Sequence, residues 1–139
     1  MMDAVDSSVL VAALVEIEPH HRACTALLDK ANLLVYSHGL AEAFNTLTGG
    51  RSGYRIAASQ VVELIESSIL PYVEVVTVSP KEMVAAMQQA QPRGVRGAAI
   101  FDFLHLVAAR KAKVSRLYTL DVSDFQSFHR LGDPEIVHP

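Results

Sequence analysis

Short apolar or β-branched segments alternate with helical segments along the whole chain. The strand-like segments span residues 1–5, 33–37, 73–78, 116–120 and 135–137. Segments with the length and composition of helices lie between them. Because successive strands joined by a crossover helix run parallel, this order predicts a parallel sheet covered by helices on both faces. The sequence therefore indicates an α/β fold, a three-layer α/β/α sandwich with a central parallel sheet of about five short strands.

Local signals predict where several helices begin and which way they face. Ser7 or Ser8 is expected to cap the first helix, directly after the first strand. Ser79 and Glu82 have the spacing of a capping box at the start of the fifth helix. Met87 lies four residues after another methionine in that helix, and we expect both to face the core.

The composition is that of one globular domain. The chain has 139 residues, of which 50% are hydrophobic and 19% are charged, so we predict a single domain over residues 1–139. The net charge of -3 argues against a protein that coats nucleic acid, but it permits a local basic surface. The single cysteine, Cys24, is expected in the core and has no partner for an internal disulfide. Without a membrane-spanning or signal-like segment, the sequence predicts a cytoplasmic protein with no membrane contact.

The helical segment 97–110 is apolar on nearly every face, yet it carries Asp102 near its start. A carboxylate in apolar surroundings is costly unless it is paired, protonated or bound to a cation. No Lys or Arg lies one turn away to pair with it. One interpretation is stabilisation by the dipole at the helix N-terminus. The other is a metal-binding or catalytic carboxylate, which requires further carboxylates at the same place.

Three further carboxylates are expected at the same edge of the sheet. Asp6 and Asp121 each follow a predicted strand, and the carboxyl ends of parallel strands meet at one edge. Glu42, like Asp102, lies early in a helix whose N-terminus points to that edge. Four carboxylates at one rim raise one another's pKa, and a divalent cation removes the conflict. The sequence therefore predicts an oxygen-ligated Mg²⁺ site in which Mn²⁺ substitutes.

Four short motifs resemble the signature regions of PIN-domain ribonucleases. They are VDSSVL at 5–10, AEAF at 41–44, DFLHL at 102–106 and TLDVSDF at 119–125. The length and the order of elements look most like the VapC toxins of type II toxin–antitoxin systems. The resemblance implies a PIN fold and an endoribonuclease that hydrolyses RNA phosphodiester bonds with a metal-activated water. It also implies a homodimer and a VapB-type antitoxin whose tail enters the site.

The resemblance carries roles over to individual residues. The implied catalytic and metal-binding quartet is Asp6, Glu42, Asp102 and Asp121, and Asp124 is a further candidate ligand. Ser8 and Thr119 match small hydroxylated positions near the metal and are candidate substrate contacts.

Basic and histidine side chains are the remaining candidates. Two glycine-containing loops hold the candidate contacts to the RNA backbone, which are Arg51, Arg55, Arg93 and Arg96. The alternative for each arginine is ordinary loop solubility. His105 is not part of the family pattern and is interpreted as a histidine at the edge of the core, with a substrate contact as the alternative.

Other function classes fit the residues less well. A haloacid-dehalogenase-type phosphatase needs a second Asp two positions after the first, and this position is Ser8. A receiver domain needs a phospho-accepting Asp on a middle strand, which segment 73–80 lacks. A catalytically degenerate PIN domain that binds RNA or protein is the remaining alternative, and the intact quartet argues against it.

Overall fold

The computed structural model describes residues 2–30 and 32–139. Within these residues, five strands form one sheet in the order β3-β2-β1-β4-β5, and every neighbouring pair is parallel. The strands are β1 Met2–Val5, β2 Asn32–Tyr36, β3 Val73–Val76, β4 Arg116–Tyr118 and β5 Glu135–Val137. The predicted parallel α/β fold is confirmed. The first residue of the predicted first strand, Met1, lies outside the described residues.

Helices occupy the predicted segments between the strands. They are α1 Ser7–Leu14, α2 His21–Lys30, α3 His38–Thr48, α4 Ala58–Ser68, α5 Pro80–Gln88, α6 Ala90–Arg93, α7 Ala99–Lys111 and α8 Val122–Phe128. A 3₁₀ helix, Leu70–Tyr72, precedes β3. Ala31, the predicted last residue of the second helix, lies outside the described residues. None of the helices described has the length and apolarity needed to cross a membrane.

The sheet has one core on each face, as a three-layer sandwich requires. Successive residues of a strand point to opposite faces, so Leu33 and Val35 pack on one side with α1, α2 and α3. Leu34 and Tyr36 pack on the other side with α7 and α8. This double burial is the reason that the strands are continuously apolar rather than alternating.

Helix α7 is the centre of the second core. Phe103, Leu106, Ala108 and Ala109 are fully buried in it, which confirms that the Asp102 segment is a buried helix. Its first turn therefore holds Asp102 beside the sheet rather than in free solvent.

The strand order places a topological switch between β1 and β4. From β1 the chain moves outward through β2 to β3, then returns to β4 on the other side of β1. Helices leaving β1 and β4 diverge to opposite faces, which opens a crevice at the carboxyl ends of these two strands. The acidic residues that follow β1 and β4 lie at this crevice.

Two local predictions are wrong and one is confirmed. The cap of α1 is Asp6 rather than Ser7 or Ser8, because the Asp6 side chain accepts the backbone N–H groups of the first turn. Met87 is 51% exposed, since α5 turns that side chain away from the sheet. The capping box is present: Ser79 accepts from the Glu82 amide at 3.1 Å, and Glu82 accepts from the Ser79 amide at 2.9 Å.

Candidate active site

Asp6 is the most firmly held carboxylate at the crevice. It follows β1 directly and is only 3% exposed. Its Oδ1 accepts the Ser8 and Val9 amides at 3.1 and 3.4 Å and the Ser8 hydroxyl at 2.5 Å. Its Oδ2 accepts the Thr119 hydroxyl at 2.6 Å. The first amides of a helix lack intrahelical partners, so the same contacts that satisfy α1 also fix this carboxylate.

The hydroxyls of Ser8 and Thr119 join Asp6 to the segment after β4. Ser8 Oγ accepts the Leu120 amide at 3.0 Å, and Thr119 Oγ1 accepts the Asp121 amide at 3.0 Å. Each hydroxyl thus donates to Asp6 and accepts from the backbone that carries Asp121. The geometry gives both residues a positioning role, and a direct contact to substrate stays a prediction.

Asp121 is exposed, and its side chain does not cap a helix. It occupies the N-cap position of α8, but its carboxylate accepts no bond from that helix. Partial desolvation and the charges of Asp6 and Asp124 raise the pKa of Asp121. Asp124 lies on the first turn of α8, and its role as a ligand remains a prediction.

Asp102 interacts electrostatically with the other three members of the predicted quartet. Desolvation and the negative charges of Asp6, Glu42 and Asp121 raise the pKa of Asp102 to about 6, and His105 opposes the rise. Burial also raises the pKa of Asp6, against the effects of His105 and of its hydrogen-bond donors. Asp102 therefore lies within electrostatic range of Asp6, Glu42 and Asp121, and a metal site formed by the four carboxylates stays a prediction.

Glu42 is paired with His105, a contact that the sequence analysis missed. His105 Nε2 lies 2.6 Å from Glu42 Oε1, and the imidazole is 2% exposed. Its ring packs edge-on against Tyr36 with centroids 5.6 Å apart. A Cβ at Gly39 would lie 3.0 Å from the ring and 3.0 Å from Val35, so the glycine leaves the space that the imidazole fills. The sequence held no local signal for this pairing, although the i, i+3 spacing of Asp102 and His105 places both on one face of α7.

The donor set fits a hard divalent cation. Among the described residues, no three His, Cys, Asp or Glu side chains form a ready-made ligand cluster. The carboxylates nevertheless suppress one another's ionisation, and carboxylate oxygens are the ligands that Mg²⁺ and Mn²⁺ prefer. A cation bound between Asp6, Asp102 and Asp121 would relieve that repulsion.

The sequence profile of the PIN domain matches residues 4–131. The chain belongs to the PIN domain family. The family resemblance seen in the sequence motifs and the PIN fold are both confirmed. No protein with curated function matches the sequence significantly.

Several solved structures share this PIN fold. VapC20 of Mycobacterium tuberculosis, described as a toxin that cleaves the sarcin–ricin loop, has a TM-score of 0.73 and 21% identity, with 100% of both chains covered. FitAcB of Neisseria gonorrhoeae has a TM-score of 0.69 and 19% identity over 100% of this chain and 98% of that one. VapBC2 of Rickettsia felis, bound to a DNA fragment of its promoter, has a TM-score of 0.67 and 13% identity over 100% and 99%. At these identities the similarity shows the fold.

Two cavities flank the carboxylates of this PIN domain. The first, the Glu18 pocket, has a volume of about 390 Å³ and is lined by Ser7, Ser8, Val11, Ala12, Glu18, Thr46, Ser52, Leu120 and Asp121. The second, the Asp124 groove, has a volume of about 290 Å³ and is lined by Ala98, Ala99, Asp102, Asp124, Ser127 and Phe128. Asp121 lines the first cavity, and Asp102 and Asp124 line the second.

The predicted RNA-contacting arginines divide into two groups. Arg93 is held inside the fold: it forms an ion pair with Asp133 at 2.5 Å, donates to the Phe128 carbonyl at 3.2 Å and stacks 5.4 Å from the Phe103 ring centre. This arrangement gives Arg93 a structural role. The exposed members of the set are Arg51, Arg55 and Arg96. Contact between any of the four and RNA remains a prediction.

We expect Thr119→Val to weaken divalent-cation binding to this PIN domain by about 10- to 100-fold, as is typical when a group that orients a ligand is lost. Valine keeps the shape but removes the donor to Asp6 and the acceptor of the Asp121 amide. The measurement is a Mn²⁺ titration by calorimetry. Thr48→Val is the matched control, because that hydroxyl donates to the Phe44 carbonyl on the exposed face of α3. An unchanged Mn²⁺ affinity of Thr119→Val would show that the hydrogen bonds of Thr119 to Asp6 and to the Asp121 amide do not support metal binding.

Proposed function

We propose that this PIN domain is a Mg²⁺- or Mn²⁺-dependent endoribonuclease and the toxin of a type II toxin–antitoxin pair. One observation carries the proposal: at the switch point of the sheet, the charges of Asp6 and Asp121 add to desolvation in raising the pKa of Asp102, and the charge of Asp6 adds to desolvation in raising the pKa of Asp121. The PIN family match and the fold shared with structures described as VapC toxins support the same function.

Each member of the quartet has a part in the proposed mechanism. Asp6, Asp102 and Asp121 would hold the cation. Bound there, the cation would make water more acidic and offset the negative charge that develops on the transferring phosphoryl group. Asp6 is fixed before substrate arrives by four hydrogen bonds, so little rearrangement is needed on binding. Glu42, anchored through Oε1 to His105, would use its second oxygen to orient the attacking water and accept its proton.

The proposal is tested with the purified protein and a long single-stranded RNA. Cleavage is expected with Mg²⁺ or Mn²⁺, and none is expected in excess EDTA. The alternative, a catalytically degenerate PIN domain that binds RNA or protein, predicts binding without cleavage under both conditions. Sequencing the RNA ends after expression in cells would identify the cleaved RNA and the cleavage sequence.

Exposed arginines would guide RNA along the two cavities. Arg51 precedes Ser52 of the Glu18 pocket, and Arg96 lies two residues before Ala98 of the Asp124 groove. We expect the double variant Arg51→Ala, Arg55→Ala to bind RNA more weakly. The slope of log affinity against log salt should fall by roughly 1.4, at about 0.7 per phosphate contact on a single strand.

The matched control for the arginine pair removes two exposed charges elsewhere. Arg22 and Lys81 are exposed on α2 and α5, and replacing both by Ala changes the net charge by the same amount. An equal change of slope in this control would mean that general charge, rather than the loop arginines, governs RNA binding.

A VapB-type antitoxin and a homodimer complete the proposal, with the cytoplasm as the proposed site of action. Apolar side chains on one side of the fold support a protein partner: Val62 of α4, Leu70 and Tyr72 of the 3₁₀ helix and Val75 of β3 are 40–47% exposed. Relatives with the same fold are described as VapBC complexes. Co-purification with the product of a small neighbouring reading frame, followed by light scattering, tests both partners.

A further inference from the structure

The Glu18 pocket adjoins the proposed catalytic centre. It shares Ser8 and Asp121 with the acidic cluster, so a group bound in the pocket would lie beside the phosphodiester being cut. Its volume of about 390 Å³ falls at the low end of small-ligand pockets, about 300–1,000 Å³. It is therefore large enough for one small planar group and too small for a folded element of a partner.

The chemistry of the lining excludes a phosphate as the occupant. Among the described residues that line the pocket, none is Lys or Arg, whereas Glu18 and Asp121 contribute two carboxylates. At the Glu18 end of the pocket, away from the proposed cation at Asp121, a phosphate would meet a carboxylate with no basic side chain of the lining beside it. The hydroxyls of Ser7, Thr46 and Ser52 and the apolar sides of Val11 and Leu120 instead favour a neutral, partly apolar group that donates hydrogen bonds.

Glu18 is held in place as an acceptor. The hydroxyl of Tyr54 donates to Glu18 Oε1, and this bond raises the pKa of the tyrosine, which keeps it a donor. Across residues 2–30 and 32–139, no group donates to the second carboxylate oxygen of Glu18. The pocket thus offers one fixed carboxylate oxygen that is open to a ligand.

We propose that the Glu18 pocket binds an unstacked nucleobase next to the cleaved bond and selects bases that carry an amino group. This inference rests on the proposed ribonuclease function. Single-stranded RNA is read through splayed-out bases whose edges are hydrogen-bonded by the protein. A carboxylate accepts from the amino group of cytosine, and adenine and guanine carry such groups as well. Uracil has no amino group, and its one donor on that edge, N3–H, lies between two carbonyl oxygens that a carboxylate disfavours.

The test measures base preference by internal competition. A set of oligoribonucleotides that differ only at the positions flanking one cleavage site is digested in a single mixture with Mn²⁺. For the wild type, one flanking position is expected to favour amino-bearing bases over uracil. Glu18→Gln should reduce that preference on the order of tenfold, since it removes one hydrogen-bonded pair between the protein and the base edge. Glutamine keeps an oxygen for Tyr54, and its amide donates to a uracil carbonyl.

Controls separate this inference from the function on which it rests. Glu63 is an exposed glutamate on α4, and Glu63→Gln should leave the base preference at the wild-type value. Wild-type hydrolysis of bis(p-nitrophenyl) phosphate, a diester without a base, tests the nuclease alone. Binding of cytidine and uridine, followed by NMR at the Ser7 and Ser52 amides, tests the pocket alone and needs no catalysis.

Two results would overturn the inference. The first is an unchanged base preference in Glu18→Gln together with equal NMR shifts for cytidine and uridine. The second comes from Thr46→Met, which places a longer side chain in the pocket. If this variant keeps the wild-type cleavage pattern but loses affinity for the antitoxin, the pocket is a protein contact. If the wild type does not hydrolyse the diester but binds cytidine in preference to uridine, only the nuclease proposal is contradicted.

Discussion

Replacing Asp6 by Asn lowers the rate of Mn²⁺-dependent RNA cleavage by about 100- to 1,000-fold, the range typical for the loss of one group that stabilises charge in a transition state. The variant loses the negative charge that would hold the cation. It keeps the fold, because Asn is also a favoured N-cap and its Oδ1 still accepts from Ser8 and Val9, as Asp6 does. The measurement is a single-turnover cleavage rate, with circular dichroism as the check on folding.

A neutralised aspartate far from the crevice is the control for Asp6→Asn. Asp29 is exposed on α2, and Asp29→Asn makes the same change of charge at the surface. We expect wild-type cleavage from it. Cleavage by folded Asp6→Asn at the wild-type rate would remove Asp6 from the proposed metal site.

Replacing Asp102 by Asn stabilises the metal-free protein by about 1 kcal/mol at neutral pH, within the range for relieving strain at a functional site. Asp102 carries a charge that desolvation and three neighbouring carboxylates disfavour, and Asn removes it with little change of shape. For a domain of this size the melting temperature should rise by roughly 4 °C. Part exposure of Asp102 screens the repulsion and keeps the expected gain modest.

The same repulsion predicts how stability depends on pH. The pKa of Asp102 is about 6 in the folded protein, against 3.8 for an unperturbed aspartate, so the folded state holds this proton more tightly. The free energy of unfolding of the wild type in EDTA should therefore fall as the pH rises from about 4 to about 6. The raised pKa values of Asp6 and Asp121 act in the same direction. Asp102→Asn should show a smaller decrease.

Mn²⁺ should reverse the order of stability, so that the wild type becomes more stable than Asp102→Asn. Ligand that binds only the folded state stabilises it by about 2.7 kcal/mol at a hundredfold excess over the dissociation constant, and Asp102→Asn should lose most of this gain. Thermal melting of both proteins in EDTA and in a Mn²⁺ series measures both effects. A lower melting temperature of Asp102→Asn in EDTA, with a normal Mn²⁺ shift, would favour the helix-dipole interpretation of Asp102.

The sequence was sufficient for the fold, and it also predicted that the carboxylates meet at one edge of the sheet. Strands buried on both faces are continuously apolar, so segments such as Leu33–Tyr36 stand out between helices. Once the strands are parallel, their carboxyl ends share an edge, and Asp6 and Asp121 must come together there. Glu42 and Asp102 were added because each lies early in a helix whose N-terminus points to that edge, and the family motifs then contained the same four residues.

What the sequence could not predict depends on contacts between distant positions. Glu42 and His105 are 63 residues apart, and Arg93 and Asp133 are 40 apart, so neither pairing has a local signal. The exposure of Met87 depends on the rotation at which α5 docks, which spacing alone leaves open. The N-cap of α1 could not be predicted because three adjacent residues, Asp6, Ser7 and Ser8, are all favoured at such a position. Which one caps the helix depends on the residue at which β1 ends.

The two carboxylate oxygens of Asp6 contribute both to the fold and to the acidic cluster. Substitutions that inactivate the protein therefore differ in how much they destabilise it. Its loss to alanine would cost about 1 kcal/mol of helix capping and leave the Ser8 and Thr119 hydroxyls without their acceptor. Asp121 is exposed and caps nothing, so it is lost at little structural cost. Where selection acts against the activity, silenced alleles should therefore change Asp121 first. These inactive alleles would keep Asp6, because its structural contacts do not depend on the activity.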